Sequence, residues 1–273
     1  MCPAKIADGE DRGYVIPIGG AEEKIRNPVI LKKFVELCGG KNAYIVIIPT
    51  ASQLDDTGSA YEELFLQLGV GNAVSLPIET REDALNEHNI SELERATGIF
   101  MTGGNQLRLS TILGGTPIAQ TIRRLNSSGV HVAGTSAGAA IMPEHMIAGG
   151  SANALPSESG VTLAPGLGLI NKVILDQHFS ERNRWGRLMS AISYNPFASA
   201  LGIDEDTAVF IAPNDVLEVV GSGSVLVIDP SDLQYSSMAE AGSGSALTML
   251  GLKVHMLSTG SRYDISSREA FKA

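Results

Sequence analysis

The 273-residue chain has few cysteines and no long apolar run. Cys2 and Cys38 provide neither a disulfide framework nor a set of four metal ligands, and we expect no metal or other cofactor. No stretch approaches the roughly 18 consecutive apolar residues of a membrane span. Residues 1–13 are mixed and polar, without the apolar region that a secretory signal requires. We therefore expect a cytoplasmic protein with no membrane partner.

Charged residues are also scarce. They make up 18% of the chain, below the roughly 25% of an average globular protein. The net charge is −10 without any long run of like charges, so the chain lacks the basic face that a nucleic acid requires as partner. In contrast, 44% of the residues are hydrophobic, which indicates a large core, and the 30 glycines are expected at turns and close approaches.

Short apolar runs alternate with amphipathic stretches from residue 13 to about residue 206, which is typical of βα units. The pattern predicts an α/β fold with a mostly parallel sheet flanked by helices. The predicted strands are residues 14–18, 44–49, 73–76, 99–102, 131–133, 173–175 and 200–203. The predicted helices are residues 27–38 (with Asn27 as N-cap and Pro28 as first helical residue), 59–68, 106–113, 118–126 and 182–193.

The pattern changes after residue 212. Residues 216–220 and 224–228 flank a Gly-Ser-Gly turn and predict a β-hairpin, and residues 250–257 predict a further strand. No long linker and no internal repeat separate this part from the rest. We therefore expect a single α/β catalytic domain over residues 1–273, with a β-rich C-terminal extension over about 213–273.

The most informative segment is an apolar strand that enters a Gly-x-Ser-x-Gly sequence around Ser136, followed by helix-compatible residues. This is the context of a nucleophile elbow, in which a sharp strand-to-helix turn exposes a serine. Gly134 and Gly138 leave out side chains that would collide at such a turn. The pattern predicts Ser136 as a nucleophile. The alternative is a chance occurrence in a glycine-rich chain, or a tight helix–strand crossing.

Acyl transfer at a serine also needs hydrogen-bond donors for an oxyanion. The amide of Ala137, directly after the serine, is one candidate. Gly103 and Gly104 follow a predicted strand and open a predicted helix, so their amides are expected at the same edge of the sheet. Gly19 and Gly20 form a weaker candidate pair. Either glycine pair is also compatible with an ordinary βα turn.

A serine needs a base to lose its proton at neutral pH, and histidine has the pKa for this task. His178 comes just past the predicted strand at 173–175, which would place it at the same carboxyl edge as Ser136. The remaining histidines have less suitable positions, and they are His88, His131, His145 and His255. We therefore predict His178 as the base.

A carboxylate is expected to orient the base. Asp204, Glu205 and Asp206 follow a predicted strand, and their positions alone do not choose among these three acids. The chain order of serine, histidine and acid differs from the order of serine, acid and histidine in α/β-hydrolases. An α/β-hydrolase is therefore disfavoured.

Four segments together resemble the cyanophycinase family of serine peptidases, which is related to aspartyl dipeptidase (peptidase E); they are residues 102–109, 134–140, 176–179 and 202–208. The resemblance runs from about residue 19 to at least residue 208. It implies a class I glutamine-amidotransferase-like (flavodoxin-like) fold, with Ser136 as nucleophile, His178 as base and Glu205 as the acid that orients it. It also implies a homodimer that needs no metal.

The resemblance further implies an exopeptidase whose substrate is cyanophycin or β-linked Asp-Arg oligomers. Cyanophycin is a poly-aspartate backbone with arginine on each β-carboxyl, and the implied products are β-aspartyl-arginine dipeptides. Arg182, Arg184 and Arg187 follow the predicted base, and guanidinium groups suit the carboxylates of such a polymer. A solvated helix face is the alternative interpretation. Further substrate-binding candidates are Gln106, Asp176 and Gln177, with Asp176 or Glu22 as acceptor of the substrate arginine.

Two parts of the chain carry no motif of this family: residues 149–165, which are expected to border the pocket, and the extension after residue 212. An α-aspartyl dipeptidase would also explain the arginines, although such enzymes are usually shorter. A catalytically silent binding module on the same fold is a second alternative, and the complete set of serine, histidine and acid argues against it. A glutamine amidotransferase is disfavoured because it normally uses cysteine at the elbow, where this chain has Ser136.

Overall fold

The computed structural model describes residues 3–6, 9–150 and 155–272, which form helices packed on two large β-sheets. The α-helices are α1 (Val29–Leu37), α2 (Thr57–Gln67), α3 (Glu87–Leu93), α4 (Gln106–Leu113), α5 (Pro117–Ser127), α6 (Ala137–Ala140) and α7 (Trp185–Tyr194). The strands are β1 (Val15–Ile18), β2 (Tyr44–Ile48), β3 (Asn72–Ser75), β4 (Gly98–Met101), β5 (His131–Thr135), β6 (His145–Gly150), β7 (Val161–Pro165), β8 (Val173–Gln177), β9 (Ser199–Ile203), β10 (Thr207–Ile211), β11 (Val216–Gly221), β12 (Ser224–Asp229), β13 (Tyr235–Ser236), β14 (Met249–Leu250), β15 (Lys253–Ser258), β16 (Ser261–Asp264) and β17 (Glu269–Lys272).

The larger sheet has nine strands in the order β17-β16-β11-β10-β1-β5-β4-β2-β3. Neighbouring strands are parallel from β1 to β3, and antiparallel from β1 to β17. Strands β1, β2, β4 and β5 are buried almost throughout, because a parallel sheet is covered on both faces. The predicted α/β architecture is therefore confirmed, with its parallel region in the first half of the chain.

Helices cover both faces of this parallel region. On one face, Phe34 of α1 and Phe65 of α2 pack against Phe100 of β4, with ring centroids 6.0 and 5.2 Å from that of Phe100. The opposite face is covered by α4 and α5, whose Leu109 and Ile122 are fully buried. Because both faces are closed, the carboxyl ends of the parallel strands are left as the place for a site.

The smaller sheet has the strand order β15-β12-β9-β8, in which β8 and β9 are parallel. Helix α7 packs on it through Leu188 and Ile192. The chain leaves this sheet for the larger one between β9 and β10, and it returns between β11 and β12. The two crossings lie side by side, since the amide of Ser222 donates to the carbonyl oxygen of Asp206 at 2.9 Å.

The β-hairpin predicted at residues 216–228 is wrong. Strand β11 pairs with β10 and β16 in the larger sheet, whereas β12 pairs with β9 and β15 in the smaller one. Gly221, with a φ of 131°, redirects the chain between the two sheets. The periodicity of a strand identifies its buried face and not its partner strand, so the sequence did not reveal this crossing.

Four of the predicted helices begin at a different residue, by one position in α1 and α5, two in α2 and three in α7. Helix α1 begins at Val29, with Pro28 rather than Asn27 as its capping residue, and the carbonyl oxygen of Asn27 accepts a hydrogen bond from the amide of Val29 at 2.8 Å. Helix α7 begins at Trp185 instead of residue 182, because Asn183 has a φ of 50° that an α-helix does not accommodate. Helix α3 lies where the sequence predicted none.

The C-terminal strands complete both sheets rather than forming a separate layer. Strands β11, β16 and β17 extend the larger sheet, and β12 and β15 extend the smaller one. Among the described residues, no helix combines the length and apolarity needed to cross a membrane. The same residues contain no group of three or more His, Cys, Asp or Glu side chains arranged to hold a metal ion.

Candidate active site

Ser136 lies in the turn between β5 and α6, at the carboxyl edge of the parallel strands. Its backbone has a φ of 53° and a ψ of −109°, a conformation that only tight surrounding packing maintains for a residue with a side chain. A Cβ added at Gly138 would lie 2.2 Å from the carbonyl oxygen of Met101, and one at Gly134 would lie 2.6 Å from that of Gly138. The two glycines therefore allow the strand and the helix to cross closely at the serine.

Ser136, His178 and Glu205 form a continuous chain of hydrogen bonds. Oγ of Ser136 lies 2.8 Å from Nε2 of His178, and Nδ1 of His178 lies 2.6 Å from Oε1 of Glu205. Because a neutral imidazole carries one proton, donation from Nδ1 to the carboxylate leaves Nε2 free to accept the serine proton. The geometry suits a nucleophile, a base and a carboxylate that orients the base.

The sequence analysis expected His178 at the same carboxyl edge as Ser136. This expectation is wrong, because β8, which precedes His178, belongs to the smaller sheet, and β5, which precedes Ser136, belongs to the larger one. His178 directly follows β8, and Glu205 comes two residues after the end of β9. These two strands are parallel neighbours in the smaller sheet. The amide of His178 donates to the carbonyl oxygen of Gly19 at 2.8 Å, which ties the smaller sheet to the end of β1. The site therefore bridges the two sheets.

The imidazole of His178 is 7% exposed. Burial lowers the pKa of His178 below its ordinary value of 6.5; the hydrogen bond to Glu205 acts in the opposite direction, and the cations of Arg182 and Arg184 lower the pKa further. The neutral form that accepts a proton is thus favoured at neutral pH. A Cβ added at Gly20 would lie 2.2 Å from Cε1 of His178, so this glycine makes room for the imidazole.

Of the three adjacent acids, Glu205 contacts His178, and its two neighbours fix the crossings between the sheets. Asp204 accepts hydrogen bonds from the amide of Ser224 at 3.1 Å and from its hydroxyl at 2.6 Å. Asp206 accepts one from the hydroxyl of Ser222 at 2.6 Å. Both acids thereby join the β9–β10 crossing to the β11–β12 crossing and hold the backbone on either side of Glu205.

The predicted oxyanion donors lie around Ser136. A Cβ added at Gly103 would be 3.4 Å from Cβ of Ser136. Gly104 has a φ of 143°, and a Cβ added there would lie 2.0 Å from the carbonyl oxygen of Ala51. Within the described residues, the amides of Gly103 and Gly104 donate no hydrogen bond to another group of the chain. Ala137 is the first residue of α6, where an amide has no partner inside the helix.

A pocket of about 560 Å³ opens at Ser136 and His178. The loops after β1, β2, β4 and β5 contribute its other walls, so the carboxyl ends of four parallel strands surround it. None of the arginine, glutamine and aspartate residues predicted to bind substrate is among the described residues that line this pocket.

A buried carboxylate lines the pocket beside the serine. Glu22 is 3% exposed; its Oε1 accepts a hydrogen bond from the hydroxyl of Tyr61 at 2.6 Å, and its Oε2 accepts one from the hydroxyl of Thr135 at 2.5 Å. Nζ of Lys24 lies 3.0 Å from the same Oε1. The residue directly before Ser136 is thus anchored to an acid that follows β1.

A second buried carboxylate, Asp176, is bound by two guanidinium groups. Nε of Arg187 donates to Oδ2 at 2.5 Å, a second nitrogen of Arg187 donates to Oδ1, and Nη1 of Arg184 lies 3.3 Å from Oδ1. Arg184 also donates to the side-chain and backbone oxygens of Gln177. Arg182 is exposed, and its guanidinium contacts no acceptor among the described residues. Two of the three predicted arginines are therefore internal partners of Asp176, and Arg182 faces solvent.

Gln106 and the β6–β7 hairpin lie next to this arginine cluster. Nε2 of Gln106 donates to the carbonyl oxygen of Ala148 in β6 at 3.0 Å. A Cβ added at Gly150 would be 3.3 Å from Cβ of Arg187. The described part of the segment 149–165 therefore borders the cluster, and residues 151–154 of that segment lie outside the described residues.

Comparison with known proteins assigns the family. Residues 15–219 match the family model described as Peptidase family S51. The chain belongs to peptidase family S51. It is also 42% identical over 260 residues to a cyanophycinase of Synechococcus elongatus, an alignment that covers 94% of this chain and 81% of the relative. The family expected from the four sequence segments is confirmed, and this S51 peptidase is a serine-type exopeptidase.

Two solved structures share the fold. A peptidase from an acI-B1 Actinobacterium superposes with a TM-score of 0.69 at 25% identity, over 97% of this chain and 98% of the other. A putative peptidase E of Listeria monocytogenes EGD-e superposes with a TM-score of 0.54 at 19% identity, over 78% of this chain and 100% of the other. The fold of the Listeria protein thus leaves part of this S51 peptidase unmatched.

The sequence did not indicate Tyr61, Lys24 or Thr135 as parts of the site. Tyr61 lies on α2, which carries no motif, and it reaches Glu22 across 39 positions of the chain. The one available signal was position: Thr135 directly precedes the predicted nucleophile, and Lys24 lies in the loop after the first predicted strand. Contacts between distant loops are set by the packing of the strands that carry them.

Proposed function

We propose that this S51 peptidase is a cyanophycinase that releases β-aspartyl-arginine dipeptides from cyanophycin. The supporting observation is the hydrogen-bonded chain of Ser136, His178 and Glu205 in a protein 42% identical to a named cyanophycinase. In this proposal Ser136 is the nucleophile, His178 the base and Glu205 the orienting acid. The strained turn at Ser136 then acts as a nucleophile elbow.

The reaction is acyl transfer through an ester on the serine. His178 takes the proton of Ser136 Oγ as that oxygen attacks a backbone aspartyl carbonyl carbon, and the amides of Ala137 and Gly104 stabilise the oxyanion. His178 next gives the proton to the leaving amine, the peptide bond breaks, and the acyl-enzyme remains. A water molecule, deprotonated by the same imidazole, hydrolyses the ester and restores the serine.

Substrate carboxylates are expected at Arg182. Each unit of cyanophycin carries the carboxylate of its arginine, and the chain end carries one more. Arg182 is exposed beside the base and its guanidinium is unpaired among the described residues, which makes it the available cation. Arg184 and Arg187 shape this wall together with Asp176 and Gln177, while Gln106 borders it through the β6–β7 hairpin.

The nucleophile is tested by Ser136→Ala with cyanophycin as substrate. Loss of the attacking oxygen is expected to reduce dipeptide release by about 10⁴-fold or more, measured as the mass of β-Asp-Arg in the supernatant. Ser59→Ala, at an exposed position, serves as the matched control and is expected to keep full turnover. Turnover by Ser136→Ala at the control rate contradicts the proposal.

An α-aspartyl dipeptidase is the second candidate, because an exposed guanidinium at Arg182 would also bind the side-chain carboxylate of a short peptide. The superposition on the putative peptidase E of Listeria covers only 78% of this chain, and this additional length argues against a short dipeptidase. Offering Asp-Leu and cyanophycin side by side separates the two activities. A catalytically silent module would show no labelling of Ser136 by phenylmethanesulfonyl fluoride.

We also propose a single catalytic domain with a class I glutamine-amidotransferase-like fold, active as a cytoplasmic homodimer. Support for one domain comes from the C-terminal strands, which complete both sheets. Low cysteine content is compatible with a reducing compartment. Sedimentation equilibrium of the full chain is expected to give twice the monomer mass of 28.7 kDa, and a single mass at the monomer value would contradict the dimer.

A further inference from the structure

Glu22 is a buried carboxylate in the catalytic pocket, and the proposed reaction does not use it. A buried carboxylate needs hydrogen bonds and a compensating charge. Two hydroxyls provide the hydrogen bonds: Tyr61 donates to Oε1 and Thr135 donates to Oε2. Burial and the charge of Glu22 both raise the pKa of Tyr61, so its hydroxyl stays a donor. These contacts fix the position of the carboxylate.

The compensating charge comes from a side chain that also reaches solvent. Nζ of Lys24 lies 3.0 Å from Oε1 of Glu22 and 5.5 Å from the centroid of the Tyr61 ring. The Lys24 side chain is 38% exposed, whereas that of Glu22 is 1% exposed. A carboxylate next to an aromatic ring is a binding site for a cation, and the lysine ammonium occupies it from the solvent side.

We infer that Glu22 and Tyr61 form a subsite for the guanidinium of a substrate arginyl group, which displaces the ammonium of Lys24. The inference rests on the proposed function, because that substrate brings a guanidinium with every unit. A planar guanidinium suits both partners, since it binds a carboxylate with two donors and stacks on a ring. The pocket of about 560 Å³ has room for it, and Ser136 lies on the pocket wall.

Asp176, a second buried carboxylate near the site, already has cations as partners. Asp176 receives Arg184 and Arg187, which are themselves buried at 8% and 6% exposure. A substrate guanidinium at Asp176 would have to displace a buried cation, which costs far more than moving a half-exposed lysine. Glu22 is therefore the acceptor of the substrate guanidinium. Asp176 instead supports the fold through its internal arginine partners.

The test compares synthetic β-Asp-Arg oligomers with oligomers in which one arginine next to the scissile bond is replaced by citrulline, its neutral isostere. The unaltered enzyme is expected to show a KM about tenfold to a hundredfold higher for the citrulline oligomer. Glu22→Gln is expected to lose this preference, because the arginine oligomer becomes as poor a substrate as the citrulline one. Asp55→Asn, at an exposed acid in the neighbouring pocket, is the matched control and keeps the preference.

The direction of the KM change in Lys24→Gln distinguishes two roles of the lysine. If the lysine competes with the substrate, its removal lowers the KM for the arginine oligomer and leaves the citrulline oligomer unaffected. If Lys24 instead binds a substrate carboxylate, both KM values rise, and the inference is overturned.

A purely structural role of Glu22 has its own signature. Labelling of Ser136 by phenylmethanesulfonyl fluoride needs no substrate guanidinium, so it measures any disturbance that Glu22→Gln transmits to Ser136 through Thr135, separately from the loss of the arginine preference. Slow labelling together with equal losses for both oligomers would overturn the inference. Full cleavage of the oligomers by Ser136→Ala would instead refute the proposed function, so the two failures are distinguishable.

Discussion

Two buried carboxylates of the candidate site have cations as partners, and these cations differ in exposure. Asp176, at the end of β8, is paired with Arg184 and Arg187, both of which are buried. Glu22, in the loop after β1, is paired with Lys24, which is half-exposed. The first carboxylate is part of a closed ion cluster, whereas the second holds a cation that solvent also reaches.

This difference indicates different tasks. A buried ion pair cannot exchange its partner without leaving a charge uncompensated in a region of low dielectric. An ammonium at the surface keeps much of its hydration and gives up its partner at a small cost. We therefore assign the Asp176 cluster to holding the wall that presents Arg182, and the Glu22 site to recognition of a substrate cation.

The largest expected effect is on stability, in Asp176→Asn. Removal of this charge leaves two buried guanidinium groups without a carboxylate, which is expected to cost about 3–5 kcal/mol of unfolding free energy. Glu22→Gln keeps an acceptor for a neighbouring hydroxyl and releases a lysine to solvent, so its cost is expected to be about 1 kcal/mol. Urea denaturation of both variants measures the difference. Equal losses of unfolding free energy in the two variants would contradict the different roles assigned to the two carboxylates.

The next expected effect is on substrate binding, in Arg182→Gln. The exposed guanidinium has no internal partner among the described residues, so its loss is expected to change the unfolding free energy by less than about 0.5 kcal/mol. The KM for cyanophycin oligomers is expected to rise about tenfold, since one charge-assisted bond to a substrate carboxylate is lost. Steady-state kinetics beside Arg95→Gln, an exposed arginine on another surface, measures this. A stability loss without a KM change would place Arg182 with the buried cluster.

Local pattern singled out Ser136 and His178, which the structure brings within hydrogen-bond distance, whereas it left Asp204, Glu205 and Asp206 undistinguished. Gly134 and Gly138 flank the serine at the spacing that a close strand–helix crossing demands, and His178 comes three residues after the apolar run 173–175. The parallel region was predictable for the same reason, since each of its strands is a short apolar run with turn residues on either side. These signals lie within a few residues of the feature they predict.

The partition into two sheets and the pairing of charges were not predictable. Strands β11 and β12 look like a hairpin, yet Gly221 and the acids Asp204 and Asp206 direct them into different sheets through contacts with distant residues. The arginines after His178 formed one cluster in the sequence, and burial divides them into two internal cations and one exposed cation. Burial depends on the packing of the smaller sheet against the larger, which has no local signature.

The smallest expected effect is a displacement of the acid limb of the pH–activity profile. Glu205 and Arg182 change the pKa of His178 in opposite directions. Burial holds the pKa of His178 below 6.5, so the neutral base, and with it activity, is expected to persist at a pH below that value. The cation of Arg182 lowers this pKa, so Arg182→Gln is expected to raise it and to move the acid limb to higher pH. The hydrogen bond to Glu205 raises it, so Glu205→Gln is expected to move the limb to lower pH.

The pH dependence of Ser136 labelling by phenylmethanesulfonyl fluoride measures this limb without a substrate that itself needs Arg182. The two variants must shift in opposite directions, and Arg95→Gln must not shift at all, because a displacement caused by net charge alone would follow the sign of the charge change at any position. Glu205→Gln is also expected to label more slowly at every pH, since the imidazole loses its orienting acceptor. An unchanged acid limb in both variants would show that burial alone sets the pKa of His178. An unchanged limb in Arg182→Gln would show that Arg182 lies too far from His178 to present a carboxylate to Ser136.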